Sequence, residues 1–167
     1  ASLLRDVYQA AHVSADDAKQ IIPEYDSGRN SGGVQDESGV LSAAMMTSLA
    51  AAGKNMVLET LGSRDGVSKR ARFLREQGYR VALVFQDMPK AVAMERAITR
   101  YQTDGRAVPY ATYSRLQPQL AYDTARQEGV IDEAARIVWE EAPQGGNWRF
   151  AEASAGLGEL GRAFGEL

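Results

Sequence analysis

Three sets of residues in this 167-residue chain combine chemically capable side chains with suggestive spacing. The first is acidic: Asp16 and Asp17 stand together at the head of a short helix-prone run, and Glu59 ends the β-prone stretch NMVLE, with Arg64 following shortly after. Polar groups at or just after the end of a strand stand where ligands bind in an α/β sheet, so these carboxylates are the ones to weigh. The second is basic: Arg96 and Arg100 lie one helical turn apart on one face, and Arg106 sits in the loop Asp104-Gly105-Arg106. Three guanidinium groups converging on a crevice suit phosphate oxygens, because each is planar, donates two hydrogen bonds side by side and keeps its charge. The third is Gln86-Asp87, at the end of an apolar run.

Each set also has a plainer reading. An aspartate at a helix start can cap the helix or simply face the positive end of its dipole. Glu59, closing a buried Val-Leu strand, has to be either solvated in a cleft or paired. Arg96, Arg100 and Arg106 can equally form a solvated basic face, with Glu95 and Asp104 near enough in sequence to neutralise two of them.

The elements that must position these groups alternate between strand and helix. Leu3, Leu4, Val7, Tyr8 and Ala11 share one face of an opening helix. A short strand is predicted over residues 11–14, and a helix opens at Asp16-Asp17 and ends near Pro23, since proline disfavours helix in the residue before it. Residues 27–33 (SGRNSGG) read as a flexible loop, and residues 37–52 as a helix closed by Gly53. Strand 55–59, helix 67–77 stopped by Gly78, strand 79–85, helix 90–101, helix 113–127, strands at 136–139 and 148–151 and a helical tail complete the series. Strands separated by helices of this length are the pattern of an open α/β sheet, mostly parallel, with right-handed crossovers. In such a sheet ligands bind beyond the carboxyl ends of the strands, which is where Asp16, Asp17, Glu59, Arg64, Gln86 and Asp87 fall.

Composition narrows the chemistry. Apolar residues make up 44% and charged residues 25%, which suits one soluble globular domain and excludes a disordered or collagen-like chain. A formal charge of −3 gives no bulk attraction to nucleic acid or an anionic membrane, so phosphate binding requires a local basic cluster. With no cysteine there are no disulfides, thiolate metal sites or cysteine nucleophile. The single histidine, His12, leaves no second imidazole for a histidine-rich metal centre and makes any Ser-His-Asp triad depend on one position. No apolar run approaches the roughly 20 residues that cross a bilayer, and no leader is apparent, so a cytoplasmic location is expected.

A phosphate-transferring site normally includes a glycine-rich loop with Lys and Ser or Thr, whose amides cradle the phosphates. The only Gly-Lys pair, Gly53-Lys54, has Ser48 in place of the first glycine and Asn55 in place of the hydroxyl, and it precedes a strand, so it reads as a helix cap.

The run VSADDAKQIIPEY at residues 13–25, NMVLE at 55–59, RAITRY at 96–101 and GRAVP at 105–109 together resemble the zeta toxin family of P-loop kinases, in the family's order, across residues 1–116. The resemblance implies a three-layer P-loop-kinase-like fold with a mostly parallel sheet, whose first strand and Walker A loop are missing from this sequence. It implies transfer of the γ-phosphate of ATP or GTP, with Mg²⁺, to a hydroxyl of a nucleotide sugar such as UDP-N-acetylglucosamine. Asp16 matches the family's catalytic aspartate, which orients and deprotonates the acceptor. Glu59 matches the acidic residue that contacts the acceptor sugar. Arg100 and Arg106 match the pair that closes on the transferring phosphate. Asp17, Arg64 and Arg96 stand beside them as candidate acceptor contacts.

The chain departs from the family in two places. The Walker A segment would precede Ala1, so the chain is expected to be a fragment of a single domain spanning residues 1–167, with no donor-binding or metal-binding residues of its own. Gln35-Asp36-Glu37 stands where many members carry a histidine, so acceptor recognition is expected to differ. A small-molecule acceptor and an antitoxin protein are the implied partners; nucleic acid and membranes are not. Two alternatives remain open: a non-catalytic interaction domain that keeps the kinase fold within a larger protein, and another P-loop small-molecule, nucleotide or polynucleotide kinase.

Overall fold

Helix α1 (Ser2–Tyr8) ends at Gln9, a non-glycine residue at φ 47°, and that left-handed turn feeds directly into strand β1 (Ala11–Val13). These and the elements below come from a computed structural model, which describes residues 2–104, 116–141, 146–158 and 161. The described residues fall into two compact units, Ala1–Glu59 with Lys90–Arg115, and Thr60–Pro89 with Leu116–Leu167.

In the first unit, β1 leads into α2 (Ala15–Lys19), the 3₁₀ segment Pro23–Gly28, α3 (Gln35–Ala51) and β2 (Met56–Leu58). β2 lies parallel to β1, with Ala11 opposite Met56 and Val13 opposite Leu58. Helices α2 and α3 make the crossover that parallel pairing requires. The segment read from sequence as a flexible loop, 27–33, is wound in successive turns. Asp26 and Ser27 adopt left-handed φ of 46° and 54°, the Asn30 amide donates to Glu24 O at 3.0 Å, and Tyr25 and Val34 on either side are buried with Ile22 against Leu41. The apolar contacts of Ile22, Tyr25 and Val34 fix a stretch that looks mobile from its glycines alone. Helix α5 (Lys90–Asp104) belongs to the same unit.

In the second unit, α4 (Arg64–Glu76) precedes β3 (Ala82–Asp87), and α6 (Pro118–Gln127) precedes β4 (Glu133–Glu140) and β5 (Asn147–Ala153). β3 and β4 are parallel; β4 and β5 are antiparallel. Val67, Ala71, Ala121, Ala125 and Val130 form the core between α4 and α6, with Val81, Leu83 and Ile131 packed on it. The small side chains Ala71, Ala121 and Ala125 let the two helices approach closely.

Among the described residues the predicted strands and helices are present, with displaced ends; the expected helical tail lies largely outside the described residues. α6 begins at Pro118, where the proline holds Gln117 out of helical geometry (φ −128°, ψ 64°), and residues 113–115 of the predicted helix lie outside the described residues. β4 runs longer than predicted because β3 pairs with it from Glu133 onward and so draws even the poor strand formers Glu133 and Ala134 into the ladder. The hydrogen-bonded strands divide among the described residues into two sheets, β1-β2 and β3-β4-β5.

Candidate functional site

Ser14 shapes the edge that carries the acidic residues. It is buried and extended (φ −137°, ψ 135°), and its Oγ accepts from the backbone N–H of Asp16 at 3.1 Å and of Asp17 at 3.4 Å. The cap of α2 is therefore a serine, and the aspartates take no part in capping with their side chains. They occupy the first turn, where the dipole favours negative charge, and their carboxylates reach other partners. A five-residue helix has no stability of its own, so this cap and the packing of Ala18 hold it in place.

Parallel pairing brings Glu59 to the same edge. Its N–H donates to Val13 O at 3.0 Å, extending the ladder one residue past β2, so the carboxyl ends of both strands coincide where ligands bind in α/β sheets. Between the two acidic positions lies His12 of β1. Its Nδ1 is 2.8 Å from Asp17 Oδ2, and its Nε2 is 3.5 Å from Glu59 Oε2. The first is the closer ion-pair contact. The second is an ion-pair separation only, and Nε2 has no hydrogen-bond partner among the described residues.

Asp16 is held by a buried cation. The Lys19 side chain is 6% exposed, against 52% for Asp16, and Lys19 Nζ donates to Asp16 Oδ1 at 3.2 Å, Ser31 Oγ at 3.4 Å and Gln35 Oε1 at 2.8 Å. Each ammonium hydrogen has an acceptor, as a buried charge requires. The turn containing Ser31 and the first residue of α3 thus fix the direction of the Asp16 carboxylate.

Asp16, Asp17 and Glu59 accordingly share one strand edge, and sequence reasoning had singled out all three. It had not singled out Lys19 or His12 for this site, although Lys19 lies three residues after Asp16 on the same helix face and His12 is the one imidazole in the chain. Arg96 and Arg100 are exposed, one turn apart on α5, within the same compact unit. Arg64 opens α4 in the other unit, and Arg106 lies outside the described residues. Gln86 and Asp87 are corrected: they form the last two residues of β3, not the turn after it, and Asp87 is committed to Arg136, whose Nε donates to Asp87 Oδ2 at 3.1 Å. A carboxylate locked by a neighbouring strand is a structural tie.

A triphosphate and its Mg²⁺ do not find their usual cradle in these residues. Gly53, at φ 61°, and Lys54 close α3: Gly53 N donates to Ala50 O at 3.0 Å and Lys54 N to Leu49 O at 3.0 Å, the two bonds of a Schellman motif. Amides engaged by helix carbonyls cannot also bind phosphate. Among the described residues, no group of three His, Asp or Glu side chains is placed to hold a metal ion.

Comparison with known proteins gives a family and a fold. The zeta toxin family model matches residues 2–141, past residue 116 and through β4. No curated protein sequence matches the chain. Among solved structures, a chain from the PezAT chromosomal toxin-antitoxin system of Streptococcus pneumoniae superposes with a TM-score of 0.65 at 14% identity, over 99% of this chain and 70% of that one. At that identity the likeness is one of fold.

Proposed function

The chain belongs to the zeta toxin family, and on that premise we propose that it carries the acceptor side of a phosphotransferase that moves the γ-phosphate of ATP or GTP to a hydroxyl of a nucleotide sugar such as UDP-N-acetylglucosamine. The observation that carries this reading is the meeting of Asp17 and Glu59 at His12, on one strand edge, with Asp16 in the same helical turn. In this reading Asp16, oriented by Lys19, aligns the acceptor hydroxyl and takes its proton. Glu59 and Asp17 accept hydrogen bonds from the sugar, with Arg64 and Arg96 as further acceptor contacts. Arg100 and Arg106 are assigned to the negative charge of the phosphoryl group. The nucleotide with Mg²⁺ supplies an activated phosphoryl group when bound; the amide cradle for it is not formed by the residues described.

We read residues 1–167 as one domain, because the chain passes between its two compact units after Glu59, Pro89 and Arg115 and neither unit is continuous in sequence. An antitoxin protein is the partner we propose, by analogy with the toxin-antitoxin system of the structural match. No helix among the described residues is long and apolar enough to cross a membrane, and the cytoplasm is the proposed location.

Isothermal titration of UDP-N-acetylglucosamine into the chain tests the acceptor site without requiring a donor. Binding that is lost on Glu59→Ala is expected; a wild-type chain that binds no nucleotide sugar overturns the assignment. The alternative is a non-catalytic interaction domain that keeps the kinase fold within a larger protein. Mg²⁺-dependent phosphate transfer from ATP that Asp16→Asn abolishes excludes that reading.

A further inference from the structure

His12 is the only histidine in the chain, and its ring lies between carboxylates from two different elements, Asp17 of α2 at 2.8 Å and Glu59 beyond β2 at 3.5 Å. A neutral imidazole with its proton on Nδ1, the nitrogen nearer a carboxylate, turns the lone pair of Nε2 toward Glu59 Oε2, so that two acceptors face each other. A protonated ring has an N–H on each side and attracts both carboxylates. The arrangement is therefore favourable on both sides in one protonation state only, and histidine is the side chain that ordinarily changes state between about pH 5 and 8.

We propose that His12 is a positioning residue that clasps Asp17 and Glu59 together when protonated and releases Glu59 when neutral, so that acceptor binding at this edge depends on pH. The proposal rests on the reading of these carboxylates as acceptor contacts. Other charges nearby do not take over this task. Asp16 and Lys19 of α2 pair with each other. The ionisable side chains of α3, Asp36 and Glu37, are exposed in its first turn, and Arg5 and Asp6 of α1 pair with each other at 3.3 Å. β2 itself is apolar, so Glu59 is the one acidic group that the second strand brings to the ring.

A lone histidine makes the test direct, because one imidazole accounts for all ring-nitrogen signals. The two ring-nitrogen signals are followed in ¹⁵N spectra at about pH 5.5. Glu59→Gln should shift the Nε2 signal and Asp17→Asn the Nδ1 signal. In parallel, UDP-N-acetylglucosamine is titrated calorimetrically at about pH 5.5 and about pH 8. The wild-type affinity should be roughly two- to fivefold higher at the lower pH, the size expected of half-exposed ion pairs, and His12→Gln should remove that difference while keeping the wild-type circular dichroism spectrum. An Nε2 signal unmoved by Glu59→Gln overturns the clasp, as does a His12→Gln variant with the wild-type pH dependence. If both nitrogens respond but no nucleotide sugar binds at either pH, the clasp is supported and the acceptor assignment falls.

Discussion

Lys19 Nζ stands 3.2 Å from Asp16 Oδ1, with the lysine buried and the aspartate half exposed. That inequality predicts unequal costs of removing either partner. Asp16→Ala leaves a buried ammonium with only Ser31 and Gln35, and also removes a negative charge from the first turn of α2; a loss of about 2–3 kcal/mol is expected. Lys19→Met leaves a carboxylate that water can reach and fills the space with an apolar chain; about 1 kcal/mol is expected. Urea unfolding of both variants checks the order, and a Lys19→Met variant less stable than Asp16→Ala contradicts it.

Ser14 supplies the side-chain cap of α2, accepting from the N–H groups of Asp16 and Asp17. Ser14→Ala should cost about 1 kcal/mol, and Ser14→Asp or Ser14→Thr should recover most of it. Since α2 carries Asp16 and Asp17, the alanine variant should also weaken nucleotide-sugar binding, and the two effects should recover together. A thermal melt and a titration on the three variants decide the matter.

Two glycines with left-handed φ provide a controlled comparison. Gly53, at φ +61°, ends α3, and a Cβ there would meet nothing within 4 Å; Gly62, at φ +74°, would bring a Cβ to 3.0 Å from both Cα and Cβ of Pro118. Gly53→Ala should therefore cost only the backbone term of about 1 kcal/mol, and Gly62→Ala roughly 2–3 kcal/mol, because the overlapping atoms include main chain. Equal midpoints in denaturant would contradict the steric argument.

In the second compact unit, buried Tyr122 stacks on Phe85 and donates its O–H to Glu152 Oε1 at 2.7 Å, while Arg126 Nη1 donates to the same oxygen at 2.9 Å. Burial first, and then the bond to the Glu152 carboxylate, push the phenol from its ordinary 10.0 up to about 12. A raised value means that the folded chain favours the neutral phenol. The resulting stabilisation, on the order of 2 kcal/mol, is present in full below about pH 10 and is lost as the pH rises toward 12. Tyrosinate absorbance should show a late-ionising component that Tyr122→Phe deletes. Alkaline unfolding of Tyr122→Phe should show a shallower dependence on pH in that window than wild type.

Much of the acidic edge was legible before any coordinates. Asp16-Asp17 after a short strand and Glu59 at the end of NMVLE announce their places through local pattern, because strand ends and helix starts are set by near neighbours: Ser14 before the helix, Pro23 after it, Gly53 before the next strand. The same locality explains the errors at element ends. The limits of β3 and β4 depend on which strand lies alongside, and that partner is distant in sequence.

Sequence alone determined the α/β alternation, the lack of a phosphate-binding loop in these residues and the family resemblance on which the acceptor reading rests. Tertiary structure decided which polar groups meet. Parallel pairing of β1 and β2 set Glu59 beside Val13 and put the His12 ring between two carboxylates, and the packing of α2 on α3 buried Lys19 while leaving Asp16 at the surface. It also turned Asp87 from a candidate ligand into the partner of Arg136. The physical reason is range: capping, turn chemistry and periodicity act over a few residues, whereas a charge is given its partner only when the backbone brings remote segments to within a few ångströms.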